Sequence, residues 1–216
     1  MLMKKQKAAE ERKSFRNTIW WEYIKTFAIA FVLVFGFMRP FVVEAFKIPS
    51  SSMEDTLLIG DRILVAKFAY GVRVPFTDSR ILDFHKPEIG DIFVFEPPPG
   101  AGDQNLIKRI VGLPGDVIEV RDGELYRNGK VVEDEDYIKR YFFSSMRRQN
   151  FGPVEVPLGH VFAMGDNRDV SKDSRSWGFV PFENIKGQTF LVYWSWNGDG
   201  DWLHKVRFSR IGRRVR

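Results

Sequence analysis

One apolar segment, from about Ile19 to Val43, constrains this chain most, because it separates a short basic tail from all that follows. Its uninterrupted apolar core is shorter than the roughly 20 residues that a spanning helix needs. Aromatic and basic residues at both flanks extend it, since such side chains reach the bilayer surfaces. The pattern predicts a basic cytosolic tail over 1–18, a transmembrane anchor over 19–46 and an extracytoplasmic domain over 47–216.

The charges around this segment predict its orientation. Six basic residues precede it and few follow it, so the positive-inside rule places the N-terminus in the cytosol. We therefore expect a single-pass protein of the cytoplasmic membrane, with its main domain on the outer face. A cleaved secretory signal is the alternative, but no small-x-small site follows Met38 and the preceding tail is unusually long.

The remainder of the chain is typical of a mainly β protein with antiparallel sheets. Short runs of β-branched and aromatic residues alternate with Gly and Pro clusters, and helix-period patterns are scarce after residue 60. Asn128-Gly129 predicts a hairpin, because this pair adopts the positive φ angles of a type I′ turn. The predicted strands are Arg62–Lys67, Ile92–Glu96, Leu106–Gly112, Val117–Arg121, Glu124–Arg127, Lys130–Val132, Val161–Met164 and Thr189–Trp196.

Three consecutive serines, Ser50, Ser51 and Ser52, follow Pro49 just after the anchor. Proline fixes its own φ and favours extended geometry before it, so the serines lie on a non-helical backbone. One interpretation is a helix cap, because a serine followed three residues later by an acidic residue forms a capping box. The other is a nucleophile, which needs a neighbouring base. These residues alone leave both interpretations open.

Histidine is the usual base for a serine nucleophile, so the three histidines are the first candidates. His85 lies in a polar turn, His160 opens a strand and His204 precedes the basic C-terminus. None has a context that indicates an orienting partner. A Ser-His-Asp triad therefore stays a minor alternative.

A lysine is the second candidate for the base. In the strand Leu106–Gly112, alternation places Lys108 on one face with Leu106 and Ile110, and Arg109 on the other. Apolar surroundings disfavour the ammonium form and lower the lysine pKa from about 10.4. A base that works near pH 7–8 needs a decrease of roughly 2–3 units.

The segment Gly165–Arg175 combines alternating acidic residues with three basic ones. A calcium loop is one interpretation, but the EF-hand spacing and its terminal Glu are missing. The favoured interpretation is an ion-pair network in which arginine side chains bind Asp166 and Asp173 in two-bond forks. Such a network would fix the conformation of a loop.

Three blocks of the chain, in this order, resemble the type I bacterial signal peptidases. They are Pro49–Met53 with the residues up to Gly71, Leu106–Asp116, and Gly165–Arg175. The resemblance implies a membrane-anchored serine endopeptidase that removes signal peptides from exported preproteins, through an acyl-enzyme and after Ala-x-Ala-like sites. It implies no cofactor and no metal. Ser51 departs from the family pattern, where a small residue such as glycine is common.

The resemblance also implies roles for individual residues. Ser52 is the nucleophile, Lys108 is the general base, and the Ser50 hydroxyl helps to bind the oxyanion. Ser171 would accept a hydrogen bond from Lys108, and the pairs of the loop would hold it in place. The supporting residues of that loop are Ser171, Asp166, Arg168, Asp173 and Arg175. The expected substrate-binding residues are Phe46, Ile48, Pro49, Met53, Leu57, Ile63, Val94, Leu106 and Ile107.

The charge of the chain limits its other partners. The net charge is +5, with both ends basic, which suits anionic lipid or nucleic acid. No nucleic-acid-binding signature is present, so membrane phospholipid is the expected partner and nucleic acid is not. The chain has no cysteine, so thiolate chemistry is excluded.

Two other classes of protein could share some of these features. A Ser-Lys autoprotease that represses transcription would need a DNA-binding domain, and residues 1–18 are too short for one. A lipid-anchored binding module would leave the surroundings of Ser52 and Lys108 unexplained.

Overall fold

The structure is a computed structural model that describes residues 19–38, 42–70, 72–73, 80–81, 86–133, 150–198, 200 and 205–215. The predicted tail over 1–18 lies outside the described residues, as do His85 and His204. Internal contacts divide the chain into two units, Met1–Val42 and Val43–Arg216.

The described residues of the first unit form one helix. Helix α1 covers 19–31 and continues in π-helical geometry over Val32–Met38. The window Ile19–Gly36 has a mean hydropathy of 1.5 and none of it is buried within the unit. The helix is therefore long and apolar enough to cross a membrane.

The second unit is mainly β, as the sequence predicted, and its strands pair antiparallel. Its short helix α2 is Ser174–Trp177. The strands are β1 Val43–Lys47, β2 Asp61–Ala66, β3 Val72–Arg73, β4 Arg80–Ile81, β5 Ile92–Phe95, β6 Leu106–Gly112, β7 Val117–Arg121, β8 Glu124–Arg127, β9 Lys130–Val131, β10 Phe151–Glu155, β11 His160–Met164, β12 Val180–Pro181 and β13 Ile185–Ser195.

The strands of the described residues form one large sheet and two smaller ones. The seven-stranded sheet has the order β1-β2-β13-β5-β6-β11-β12, and the four-stranded sheet has the order β10-β7-β8-β9. Strands β3 and β4 pair only with each other. Strand β6 thus lies between β5 and β11, and all its residues after Leu106 are buried. A side chain on either face of this strand is withdrawn from water.

Several predicted strands coincide with the structure residue for residue, including Leu106–Gly112 and Glu124–Arg127. The Asn-Gly hairpin is confirmed, with φ of 55° at Asn128 and 76° at Gly129. Strong local signals of this kind need no distant partner.

Strand β1 differs from the prediction, which extended the anchor to residue 46. Its residues pair with β2 in continuous register, from Val43 opposite Ala66 to Lys47 opposite Arg62. The ladder satisfies the backbone groups of β1, so these residues belong to the sheet. Strand β10 was missed as well, because Gly152 and Pro153 interrupt its pattern.

Three apolar clusters form the core of the second unit. The first cluster packs between β5, β6, β11 and β13 around Phe93 and Phe95. A second cluster contains Ile48, Met53 and Leu57, which lie in the segment that carries the serines. The third connects β7 and β8 with β11. The serine segment is therefore fixed to the sheet by its own apolar side chains.

Candidate active site

The serines lie in a closed loop, residues 48–60, called here the serine loop. Its ends meet, because Ile48 N donates to Asp61 O at 2.8 Å and Gly60 N donates to Ile48 O at 3.0 Å. Within the loop, Leu57 N donates to Met53 O, but the chain forms turns and no helix. The helix-cap interpretation of the serines was therefore wrong.

The C-terminal part of the chain holds the far end of this loop. The Arg210 guanidinium binds both carboxylate oxygens of the fully buried Asp61, the shortest contact being 2.6 Å. It also donates to Thr56 O at 2.9 Å, while Asp61 accepts hydrogen bonds from Ser195 Oγ and Leu58 N. Arg210 is itself buried, so it is not one of the residues of the basic tail that could face lipid.

Lys108 and Ser52 are in direct contact. Lys108 Nζ donates to Ser52 Oγ at 2.8 Å and to Ile107 O at 3.0 Å. The Ser50 and Ser52 hydroxyl oxygens are 3.5 Å apart, and either could donate. Lys108 is 3% exposed, whereas Ser52 is partly exposed. A base and a hydroxyl therefore meet at the edge of an apolar interior.

The burial of Lys108 lowers the pKa of its amine from 10.5 to about 8. Desolvation is the largest cause, since a buried ammonium loses its hydration. The negative charges of Asp173 and Asp166 act in the opposite direction and raise this pKa. A substantial fraction of Lys108 is therefore neutral at slightly alkaline pH, as a general base requires.

Arg109, the neighbour of Lys108, is also buried. Its guanidinium binds Asp166 through two hydrogen bonds of 2.9 and 2.8 Å, and it donates to Gly90 O at 2.7 Å. Arg109 was expected on the face of β6 opposite Lys108, and that face is buried as well. Asp166 also accepts a hydrogen bond from Thr56 Oγ1 at 2.6 Å. The expected arginine fork on Asp166 comes from β6.

The second expected fork is present within the loop itself. Arg175 binds Asp173 through Nε and NH2, both at 2.8 Å, and donates to Arg168 O. Arg168 Nε donates to Gly165 O at 3.2 Å. Two of the three carboxylates in this segment, those of Asp166 and Asp173, are thus bound by guanidinium groups. The described residues contain no cluster of three or more potential metal ligands.

Ser171 does not form the hydrogen bond with Lys108 that the resemblance implied. Its hydroxyl is buried without a hydrogen-bond partner, since the Lys108 amine points at Ser52 and Ile107 O. Ser171 nevertheless lies close to Ser52. Both Ser171 Oγ and Ser52 O approach Gly165 so closely that a Cβ at this glycine would collide with them. Only glycine leaves space for these two groups.

Asn167, whose role no sequence pattern indicated, contacts the serine loop twice. Its backbone N–H donates to Ser52 O at 3.1 Å, and its side-chain Nδ2 donates to Ser51 O at 3.1 Å. The asparagine lies in the recognised block, but only the fold brings it to the serines. Thr56, Arg109 and Arg210 were missed for the same reason.

His160 is the one candidate histidine that the structure describes. Its Nδ1 interacts with Leu158 O at 2.9 Å, and its ring packs edge-on against Phe179. The side-chain partners of the Ser52 hydroxyl are Lys108 and Ser50.

Most of the expected substrate-binding residues lie in one apolar cluster beside the dyad. Ile48, Met53, Leu57, Ile63, Val94 and Ile107 are buried members of the second cluster, and Phe46 packs against it. Leu106 packs against the first cluster instead, and Pro49 is exposed. Phe46, Pro49 and Leu106 are thus the members of this expected set that keep exposed surface, while the others are buried.

Comparisons with known proteins agree with the sequence resemblance. The model of the family described as signal peptidase, peptidase S26, matches residues 20–194. Signal peptidase I of Pseudomonas fluorescens is 39% identical, over 88% of this chain and 78% of that protein. Probable signal peptidase I-2 of Synechocystis is 39% identical, over 88% and 80%. The crystal structure of a signal peptidase I from Enterococcus faecalis matches with 36% identity over 48% of this chain and 97% of that chain, at a TM-score of 0.42.

The pKa of Lys108 generates a prediction about pH dependence. If Lys108 is the general base, only its neutral amine can accept a proton, so kcat/KM should rise with pH to a plateau with a midpoint near pH 8. The measurement is cleavage of a preprotein by the detergent-solubilised chain between pH 5 and 10. A midpoint near pH 6.5, the ordinary histidine value, would instead indicate a histidine base.

Proposed function

The chain belongs to the signal peptidase family, peptidase S26, and on that premise we propose that it removes signal peptides from exported preproteins with a Ser52–Lys108 dyad. It is thus a serine peptidase. The observation that carries the proposal is the 2.8 Å hydrogen bond between Lys108 Nζ and Ser52 Oγ at a lysine withdrawn from water. A surface lysine would keep its proton at neutral pH and could not act as the base.

The first half of the proposed reaction is acylation. Neutral Lys108 accepts the proton of Ser52 while Ser52 Oγ attacks the scissile carbonyl carbon, and the carbonyl oxygen becomes an oxyanion. The Ser52 N–H and the Ser50 hydroxyl donate hydrogen bonds to this oxyanion. Lys108 then transfers its extra proton to the departing amine. The peptide bond breaks, the mature protein leaves, and the signal peptide stays esterified to Ser52.

The second half is deacylation, which repeats these steps with water. Neutral Lys108 takes a proton from a water molecule, whose oxygen attacks the ester carbonyl. Collapse of the second tetrahedral intermediate breaks the ester bond, and Lys108 returns the proton to Ser52 Oγ. The enzyme is regenerated and the signal peptide leaves with a new carboxylate.

Substitution of the two dyad residues tests this proposal. Ser52→Ala removes the nucleophile and Lys108→Met removes the base at similar size, so each should lower kcat by at least about 10⁴-fold. The measurement is preprotein cleavage followed by sequencing of the new N-terminus. Circular dichroism should show that both variants remain folded.

Matched controls separate the dyad from other mechanisms. Ser51→Ala removes the adjacent hydroxyl, and His160→Ala removes the described histidine, so both should keep near-normal activity. EDTA should have no effect. A folded His160→Ala variant without activity, or a Ser52→Ala variant with full activity, would contradict the dyad.

We further propose that the substrate must be small at the first and third residues before the cut. An extended substrate directs alternate side chains to one side, here toward the apolar cluster. Met53, Leu57 and Ile63 of that cluster are fully buried, and we expect their side chains to leave little volume beside Ser52. A methyl group gains only about 1–3 kcal/mol in such a pocket, and the exclusion of large residues must provide most of the selectivity.

Changes in substrate and enzyme test this selectivity together. Ala→Phe immediately before the cut should abolish cleavage, and Leu106→Ala or Ile107→Ala should relax the preference by removing part of the wall. Val131→Ala, an exposed apolar residue of β9, is the control. The ratio of kcat/KM for the two substrates is the measurement. Efficient cleavage of the Phe substrate by the unmodified enzyme would rule out this arrangement.

We also propose that the domain on the outer face touches the membrane surface. Four exposed apolar side chains, those of Ile59, Trp194, Trp196 and Phe208, are the proposed contact surface, called here the apolar surface. Arg207 connects its parts by donating to both Ile59 O and Trp196 O, and the Lys205 amine lies 5.8 Å from the Trp196 ring. Aromatic side chains beside basic ones suit the headgroup region of a bilayer. Trp202, which the sequence suggests as a further member, lies outside the described residues.

Single cysteines can report both the orientation and the lipid contact, because the chain has none of its own. Glu124→Cys, on an exposed hairpin, should react with an impermeant maleimide added outside intact spheroplasts. The Phe208 side chain is 73% exposed in the protein. A cysteine in its place, Phe208→Cys, should react only after detergent removes the lipid. Failure of Glu124→Cys to react would contradict the proposed orientation. Reaction of Phe208→Cys without detergent would contradict the proposed lipid contact.

A further inference from the structure

The two peptide groups that flank the proposed nucleophile are both held by one residue, Asn167. Its side-chain amide donates to Ser51 O, which belongs to the peptide that precedes Ser52. Its backbone N–H donates to Ser52 O, which belongs to the peptide that follows. Each distance is 3.1 Å. The amide nitrogen Nδ2 of Asn167, and not its oxygen, must face Ser51 O, because a carbonyl oxygen can only accept a hydrogen bond.

The buried amide side chain of Asn167 is unfavourable for the stability of the fold. Asn167 is 1% exposed, and its Oδ1 is buried without a hydrogen-bond partner. An unsatisfied buried acceptor lowers stability by at least as much as a typical hydrogen bond adds. The hydrogen bond to Ser51 O returns about as much or less, and Ser51 O already accepts from Glu54 N at 3.0 Å. The polar side chain therefore has a use other than stability.

The geometry of the peptide group indicates that use. The peptide between Ser51 and Ser52 is trans, so its C=O and N–H point in opposite directions. Fixing Ser51 O on one side fixes the direction of the Ser52 N–H on the other. Donation to the carbonyl also polarises the peptide, which makes its N–H a stronger donor.

We propose that Asn167 is a positioning residue that aims the Ser52 N–H at the oxyanion. The proposal rests on the dyad mechanism above, in which this N–H stabilises the negative charge of the tetrahedral intermediate. Asn167 touches neither the substrate nor the reacting atoms. Its contribution is made through the peptide plane, so it should appear in the transition state and not in the binding of the substrate.

Asn167→Ala is the first test, in the full detergent-solubilised chain. The backbone hydrogen bond to Ser52 O remains, and only the side-chain hydrogen bond to Ser51 O is lost. We expect kcat to fall by about 10- to 100-fold, less than the roughly 10²- to 10³-fold for loss of a whole oxyanion donor. KM should change by less than about threefold. The midpoint of the pH profile should stay in place, because Lys108 is unaffected.

Asn167→Asp is the second test, because it keeps the size of the side chain and replaces the donor by an oxygen. That oxygen faces Ser51 O and repels it, so the loss in kcat should equal or exceed that of Asn167→Ala. Asn184→Ala is the matched control, since Asn184 also donates from Nδ2 to a backbone carbonyl, that of Glu96 at 3.2 Å. It should lose no more than about twofold in kcat.

A peptide aldehyde ending in alanine separates positioning from mere support of the fold. Ser52 Oγ adds to the aldehyde carbon, the Ser52 proton passes to Lys108, and the former carbonyl oxygen becomes an oxyanion. The inhibition constant should rise by the same factor as kcat falls. A peptide of the same sequence ending in an amide forms no oxyanion, and its binding should be unchanged.

The outcomes distinguish this inference from the function it rests on. If Ser52→Ala abolishes cleavage but folded Asn167 variants keep kcat within about twofold, only the positioning role fails. Equal weakening of aldehyde and amide, or loss of the thermal unfolding transition in both Asn167 variants, would assign the residue to the fold alone and overturn the inference. Full activity of Ser52→Ala would instead overturn the dyad itself.

Discussion

The buried ion pair between Arg109 and Asp166 is the interaction on which the rest of the site depends. Arg109 is the neighbour of Lys108 on β6, Asp166 belongs to the loop after β11, and Thr56 of the serine loop donates to the same carboxylate. Three segments far apart in sequence thus converge on one charged group. Removing either partner would leave an uncompensated buried charge, which typically costs about 3–5 kcal/mol.

Asp166, together with Asp173, explains why the pKa of the Lys108 amine is not lowered further. Desolvation alone can depress a buried lysine to about 5–6, where the amine would be a weak base. Asp173 and Asp166 raise the pKa again, so that it stays near 8. Both carboxylates are bound by arginines, and their remaining field at Lys108 is therefore set by the geometry of the loop. The network that supports the site therefore also sets the pKa of the proposed base, Lys108.

The sequence predicted those features that depend on neighbouring residues. The Asn128-Gly129 turn and the strand Leu106–Gly112 follow from local rules, and the apolar alternation around Lys108 indicates a buried amine. It could not predict that Arg109 is buried as well. Alternation distinguishes two faces of a strand but not whether both are covered, and that depends on the central position of β6. Arg210 was read as part of a basic tail for a similar reason. Its partner Asp61 lies 149 positions away, and no local pattern connects them.

Because Asp61 and Arg210 are so far apart in sequence, the serine loop can be completed only late in synthesis. Asp61 is fully buried, and Arg210, 149 positions later, neutralises it and binds Thr56 O in the serine loop. A chain emerging from the ribosome contains Ser52 and Lys108 long before it contains Arg210. The loop that presents the serine cannot reach its final form during that interval. The order of synthesis thus withholds the finished serine loop until Arg210 has been translated.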